Sequence, residues 1–167
     1  MRVVLFDLGN TLESENALRP GALEAVTAIA AMRDDRGQQP RLGLISDFHE
    51  PATPGAVPAI VEEYRQLLQD LHLESLFQPF DQAITLSTQV GVRKPDARIF
   101  RAALDKFDPA ARFEDAIFIT EHTGHVDAAR RLGLQAVHLR GPDQATGEVD
   151  SLADLAPHVQ RLLRRSR

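Results

Sequence analysis

The sequence predicts an α/β domain: a doubly wound, Rossmann-like parallel sheet of five strands with helices on both faces. Three observations predict it. Five short apolar runs recur along the chain, alternating with segments of helical spacing. The first of them, Val3 to Phe6, is continuous rather than alternating, as a strand covered on both faces requires. Polar residues stand at or just past their carboxyl ends, where sheets of this class open onto ligand crevices. The 167 residues, 43% hydrophobic and 26% charged, suffice for one core. No repeat, low-complexity tract or linker divides residues 1–167, so one domain is expected.

The first run, Val3 to Phe6, stops at Asp7, and Gly9 and Asn10 then let the backbone turn. Arg19-Pro20-Gly21 opens a helix over Ala22 to Arg33, with Leu23, Val26, Ala30 and Arg33 on one face. A polar loop to Pro40 leads into the second run, Arg41 to Ile45, which ends at Ser46-Asp47. His49 to Pro58 reads as a proline-rich loop, and Ile60, Tyr64, Leu67, Leu68 and Leu71 mark a helix over Ala59 to Leu73. Ala83 to Leu86 is the third run, followed by a loop from Ser87 to Pro95. Asp96 caps a helix whose buried stripe is Ile99, Phe100, Ala103, Leu104 and Phe107. The fourth run, Ala116 to Thr120, ends at Glu121. His125 to Leu132 is a helix stopped by Gly133, and Gln135 to Leu139 is the fifth run. After a loop from Gly141 to Asp150, Ser151 to Arg165 forms a last helix with Leu152, Leu155, Val159 and Leu162 inward.

Composition narrows the function classes. A formal charge of −5 provides no basic footprint for nucleic acid. The arginines at the end (Arg161, Arg164, Arg165, Arg167) read as a solvated helix terminus. Without cysteine there is no disulfide, thiolate metal site or cysteine nucleophile, which fits a reducing compartment. Asp7 interrupts the first apolar run, so nothing there resembles a signal peptide, and no stretch is long enough to span a membrane. A cytoplasmic location is expected.

The polar residues at the strand ends carry the chemistry. Asp7, Ser46, Lys94 and Glu121 follow successive strands, so a parallel sheet brings them to one edge. Taken singly, each is an ordinary turn or surface residue. In order, they resemble the four motifs of the haloacid dehalogenase (HAD) superfamily. The strand-Asp7-x-x-x-Thr11 pattern is similar to motif I, and Ser46 after Leu42-Gly43-Leu44-Ile45 to motif II. Gly91-Val92-Arg93-Lys94-Pro95-Asp96 running into Ile99-Phe100 looks like motif III, and Thr120-Glu121 through His125 like motif IV. The resemblance spans Val3 to about Leu139.

That resemblance implies a HAD-like hydrolase, a phosphatase or phosphotransferase in which Asp7 attacks a phosphoryl group to form an aspartyl-phosphate. Ser46 would hydrogen-bond the phosphoryl oxygens, and Lys94 would neutralise charge between nucleophile and phosphate. Mg2+ would be held by Asp7, the Gly9 carbonyl and Glu121. Asn10 and Thr11 flank the site as auxiliary residues. The departures matter equally. Gly9 stands where phosphatases of the family carry a second Asp that protonates the leaving group and activates water. General acid–base catalysis is typically worth about 10²–10⁴-fold, so a slow enzyme is expected. Glu121 replaces an Asp on a longer arm, and His125 stands where a second acid helps hold the metal, which points to a weakened site or to Mn2+ or Co2+. His49, His122 and His125 have pKa ranges suited to replace the missing acid–base group.

The stretches before and after Ser46 are filled by the elements above, leaving no room for the family's usual cap. Capless members act on macromolecular substrates or borrow a lid from a partner subunit, and His49 to Pro58 is the one candidate for a local flap. The expected partner is therefore a phosphorylated small molecule or macromolecule, with a protein supplying a lid. The alternative is a catalytically impaired HAD scaffold that binds phospho-ligands or regulates a partner. A dehalogenase reading lacks the required cap. A two-component receiver reading fails because its accepting Asp follows a middle strand, whereas Asp7 follows the first.

Overall fold

The computed structural model describes residues 2–164. In chain order the first half comprises β1 (Val3–Phe6), a hairpin of β2 (Glu13–Ser14) and β3 (Ala17–Leu18), α1 (Ala22–Ala31), β4 (Arg41–Ser46) and α2 (Val57–Asp70). Then come α3 (Phe80–Ala83), β5 (Ile84–Leu86), α4 (Ser87–Val90), α5 (Ala97–Phe107) and β6 (Ala116–Thr120). The last elements are α6 (Thr123–Leu132), β7 (Gln135–His138) and α7 (Leu152–Leu163). The five-stranded sheet has the order β5-β4-β1-β6-β7, with every pairing parallel.

β1 lies in the middle because all four of its side chains are apolar and fully buried. Successive side chains point to opposite faces. Val4 and Phe6 join Leu44 and Ile119 against α1, α2 and α7, whereas Val3 and Leu5 join Ile45 and Phe118 against α5 and α6. Burying each such side chain contributes roughly 1.5–3 kcal/mol, and coverage from both sides holds the strand ends rigidly. Gly43 lets the layers close: a Cβ there would lie 2.9 Å from Leu5 Cδ2, 3.0 Å from the Ala83 carbonyl oxygen and 3.1 Å from Phe107 Cε2.

Helix signals read well where they were local. The Asp96 carboxylate accepts from Arg98 N at 2.9 Å, and Gly133, at φ 101°, ends α6. Several expectations are corrected. The buried face of α1 is Ala22, Ala25, Val26 and Ile29, not the Leu23 face; Leu23 is 38% exposed, and the helix stops before Arg33. Helix α2 starts at Val57, ahead of Ala59, because Pro58 fits its first turn. Helix α6 likewise starts at Thr123, two residues before His125. Residues Ser87–Val90, expected as loop, form the single turn α4, and the β2–β3 hairpin was not foreseen. Arg165 and Arg167 lie outside the described residues.

Candidate active site

At the carboxyl edge of the sheet, Asp7, Ser46 and Lys94 line one cleft of about 310 Å³ together with Glu13, Asp47, Tyr64 and His125. Leu8, Phe48 and Leu67 supply its apolar wall. Lys94 Nζ donates to Asp7 Oδ1 at 2.6 Å and to the Ile45 carbonyl at 2.8 Å. The Lys94 side chain is only 2% exposed and that of Asp7 12%, so the pair is shielded from solvent. Leu8 N also donates to Asp7 Oδ1, at 2.9 Å, and the Thr120 hydroxyl donates to Oδ2 at 3.0 Å. Asp47 holds the motif III loop in place by accepting from Lys94 N at 2.9 Å.

Ser46 Oγ lies 2.6 Å from the Tyr64 hydroxyl, across from α2. Burial pushes the Tyr64 pKa well above its ordinary range; the charges of Asp7 and Glu13 push the same way, against the Ser46 hydrogen bond. Tyr64 therefore keeps its proton. Of the two hydroxyl protons one is spent on the shared bond, leaving the other for a ligand oxygen.

The two carboxylates among the expected metal ligands are both engaged in hydrogen bonds. The oxygens are hard enough in kind, but one hydroxyl serves both carboxylates: Thr120 Oγ1 stands 3.0 Å from Asp7 Oδ2 and 3.2 Å from Glu121 Oε2. Glu121 is turned toward Thr11, whose hydroxyl donates to it at 3.0 Å, and does not line the cleft. Mg2+ demands near-ideal octahedral geometry.

The auxiliary residues divide. Thr11 is buried and ties Glu121 to the motif I loop. Asn10, in a left-handed conformation at φ 55°, offers its carbonyl to Arg19 at 2.8 Å. His49 is exposed, 3.4 Å from Glu63, and outside the cleft. The exposed His122 caps α6 through Nδ1 and stacks on His125 with ring centroids 4.0 Å apart.

Of these three histidines His125 alone lines the cleft, and its Nδ1 is buried without a hydrogen-bond partner among the described residues. Burial, followed by the His122 and Lys94 charges, lowers its pKa from 6.5, against the opposing pull of Asp7 and Asp47. The folded state thus prefers neutral His125. Its contribution to stability is present above the unfolded pKa, about 6.5, and is lost as the pH falls through the lower folded value. His125→Gln is expected to flatten the decline in urea midpoint between about pH 7 and pH 5. An unchanged decline would assign it to other groups.

Sequence reading missed Tyr64 and Glu13 as cleft residues and Thr120 as a partner of Asp7, and noted Asp47 only as a strand end. Tyr64, the chain's single tyrosine, was hidden on an apolar stripe. Thr120 sits at a strand end beside Glu121, a usable signal. Nothing local marks Glu13.

No family model and no curated protein matches the chain. Solved structures do. An uncharacterized protein from Corynebacterium glutamicum ATCC 13032 is similar at 19% identity over 98% of this chain and 95% of its own, with a TM-score of 0.58. An L-2-haloacid dehalogenase is similar at 20% identity over 86% of this chain, with a TM-score of 0.53. The chain spans 59% of that dehalogenase's length. The class is therefore an α/β protein of HAD-like fold, and at such identities the likeness speaks to the fold alone.

Proposed function

We propose that the protein is a slow HAD-type phosphotransferase or phosphatase acting through Asp7. The observation that carries this reading is the convergence of Asp7, Ser46 and Lys94 in one cleft, with the Lys94 ammonium hydrogen-bonded to the Asp7 carboxylate. An Asp7 oxygen forms the new bond to phosphorus as the ester P–O bond breaks. The Lys94 ammonium and the free proton of the Ser46–Tyr64 pair face the charge that grows on the phosphoryl oxygens. Water then attacks phosphorus and releases inorganic phosphate and Asp7. The cleft suits a phosphorylated small molecule, or a macromolecule for which a partner completes the lid.

A binding or regulatory role is the second reading, favoured by the Thr120 hydroxyl shared between Asp7 and Glu121. Hydrolysis of an aryl phosphate separates the two, because an aryl group leaves without much help from an acid. Turnover is to be measured with Mg2+, Mn2+ or Co2+ and with chelator. Slow turnover that depends on Asp7 supports the enzyme. Its absence under all of these cations leaves the binding role.

A further inference from the structure

Resting on that phosphotransfer reading, we infer that Glu13 does the acid–base work for which Gly9 has no side chain. A Cβ built on Gly9 meets nothing within 4 Å, so the place where an acid would stand is open space. The chain then doubles back on itself. Thr11 N, Leu12 N and Glu13 N all donate to the Leu8 carbonyl, at 3.2, 2.9 and 3.1 Å, and the turn returns Glu13 to pair with Gly9 in an isolated bridge. Gly9 and Glu13 both line the cleft. The Glu13 side chain thus emerges beside the vacant Gly9 position, and it lines the cleft with Asp7 and Lys94.

Its carboxylate is anchored yet available. Asn16 N donates to Oε1 at 2.7 Å, within a hairpin turn whose two central residues, Glu15 and Asn16, have φ of 56° and 63°. Oε2 makes no hydrogen bond among the described residues. The other candidates are less well placed. His49 and His122 lie outside the cleft, Asp47 is fastened to Lys94 N, and the environment of His125 disfavours the protonated form an acid needs.

In the first half-reaction, Asp7 bonds to phosphorus while Glu13, as the carboxylic acid, passes its proton to the departing alkoxide. In the second, Glu13 as carboxylate takes a proton from the water that attacks phosphorus. The acyl-phosphate P–O bond breaks, and Asp7 returns as carboxylate.

The test compares wild type, Glu13→Gln and the double variant Gly9→Asp/Glu13→Gln on p-nitrophenyl phosphate and an alkyl phosphate. The amide oxygen of Gln keeps the bond to Asn16 N, so the hairpin is preserved. Glu13→Gln is expected to release a burst of about one nitrophenol per protein and then turn over about 10²-fold more slowly, with aspartyl-phosphate accumulating. Alkyl phosphate turnover is expected to fall by about 10²–10⁴-fold without a burst. Gly9→Asp in that background restores both. Steady-state rates within about twofold of wild type on both esters would overturn the assignment, as would loss of the burst along with turnover. A wild type that hydrolyses neither ester, or an Asp7→Asn variant as active as wild type, defeats the phosphotransfer reading itself and this assignment with it.

Discussion

Lys94→Met is expected to destabilise the fold by about 3–5 kcal/mol, the range for breaking a buried ion pair by removing one partner. The cause is the charge left behind. Asp7 would stay in a shielded site with only Leu8 N and the Thr120 hydroxyl as donors, and the Ile45 carbonyl would lose its partner. Those two remaining donors favour the lower end. At roughly 2–4 °C per kcal/mol for a domain of this size, a 3 kcal/mol loss lowers the melting temperature by about 6–12 °C. Asp7→Asn/Lys94→Met removes both charges and is expected to recover part of the loss, because a buried pair contributes little net stability against neutral neighbours. Urea denaturation of wild type and the two variants measures this. A Lys94→Met single variant as stable as wild type would show that water reaches Asp7 far more freely than its 12% exposure indicates.

Asp7→Asn is expected to lower aryl phosphate turnover on the order of 10³-fold or more, since a neutral amide is a poor nucleophile and no acyl-phosphate can accumulate. Binding should move the other way. With the Asp7 charge gone, Lys94 is freed to face an anion, and inorganic phosphate is expected to inhibit or bind more tightly than in wild type. Calorimetric titration alongside kinetics tells the roles apart. Loss of turnover with tighter phosphate binding marks Asp7 as the nucleophile. Loss of both marks a collapsed site, and loss of neither removes Asp7 from the chemistry.

Much of the fold was legible along the chain because its signals are local. A continuous apolar run is a doubly covered strand wherever it lies, and Val3–Phe6 and Ala116–Thr120 needed no partner to be recognised. An aspartate before a helix caps it, as Asp96 does, and a glycine after one ends it, as Gly133 does. Parallel strands also carry Asp7 and Ser46 to the same edge by direction alone. Single-turn helices such as Phe80–Ala83 and Ser87–Val90 stayed hidden, since four residues are barely one helical turn. The hairpin at Glu13–Leu18 turns on Glu15 and Asn16 at positive φ, and neither is the glycine that usually signals such a turn.

Local patterning along the chain accounts for the sheet, its covering helices and the edge where chemistry-bearing residues collect, because periodicity and turn chemistry act over a few residues. Tertiary structure alone decided which side chains meet there. Thr11 bonds Glu121 from 110 positions away, Tyr64 reaches Ser46 from a helix face that read as core, and a backbone bridge returns Glu13 to Gly9. Each depends on the register and direction of elements distant along the chain, set by packing rather than by any local pattern.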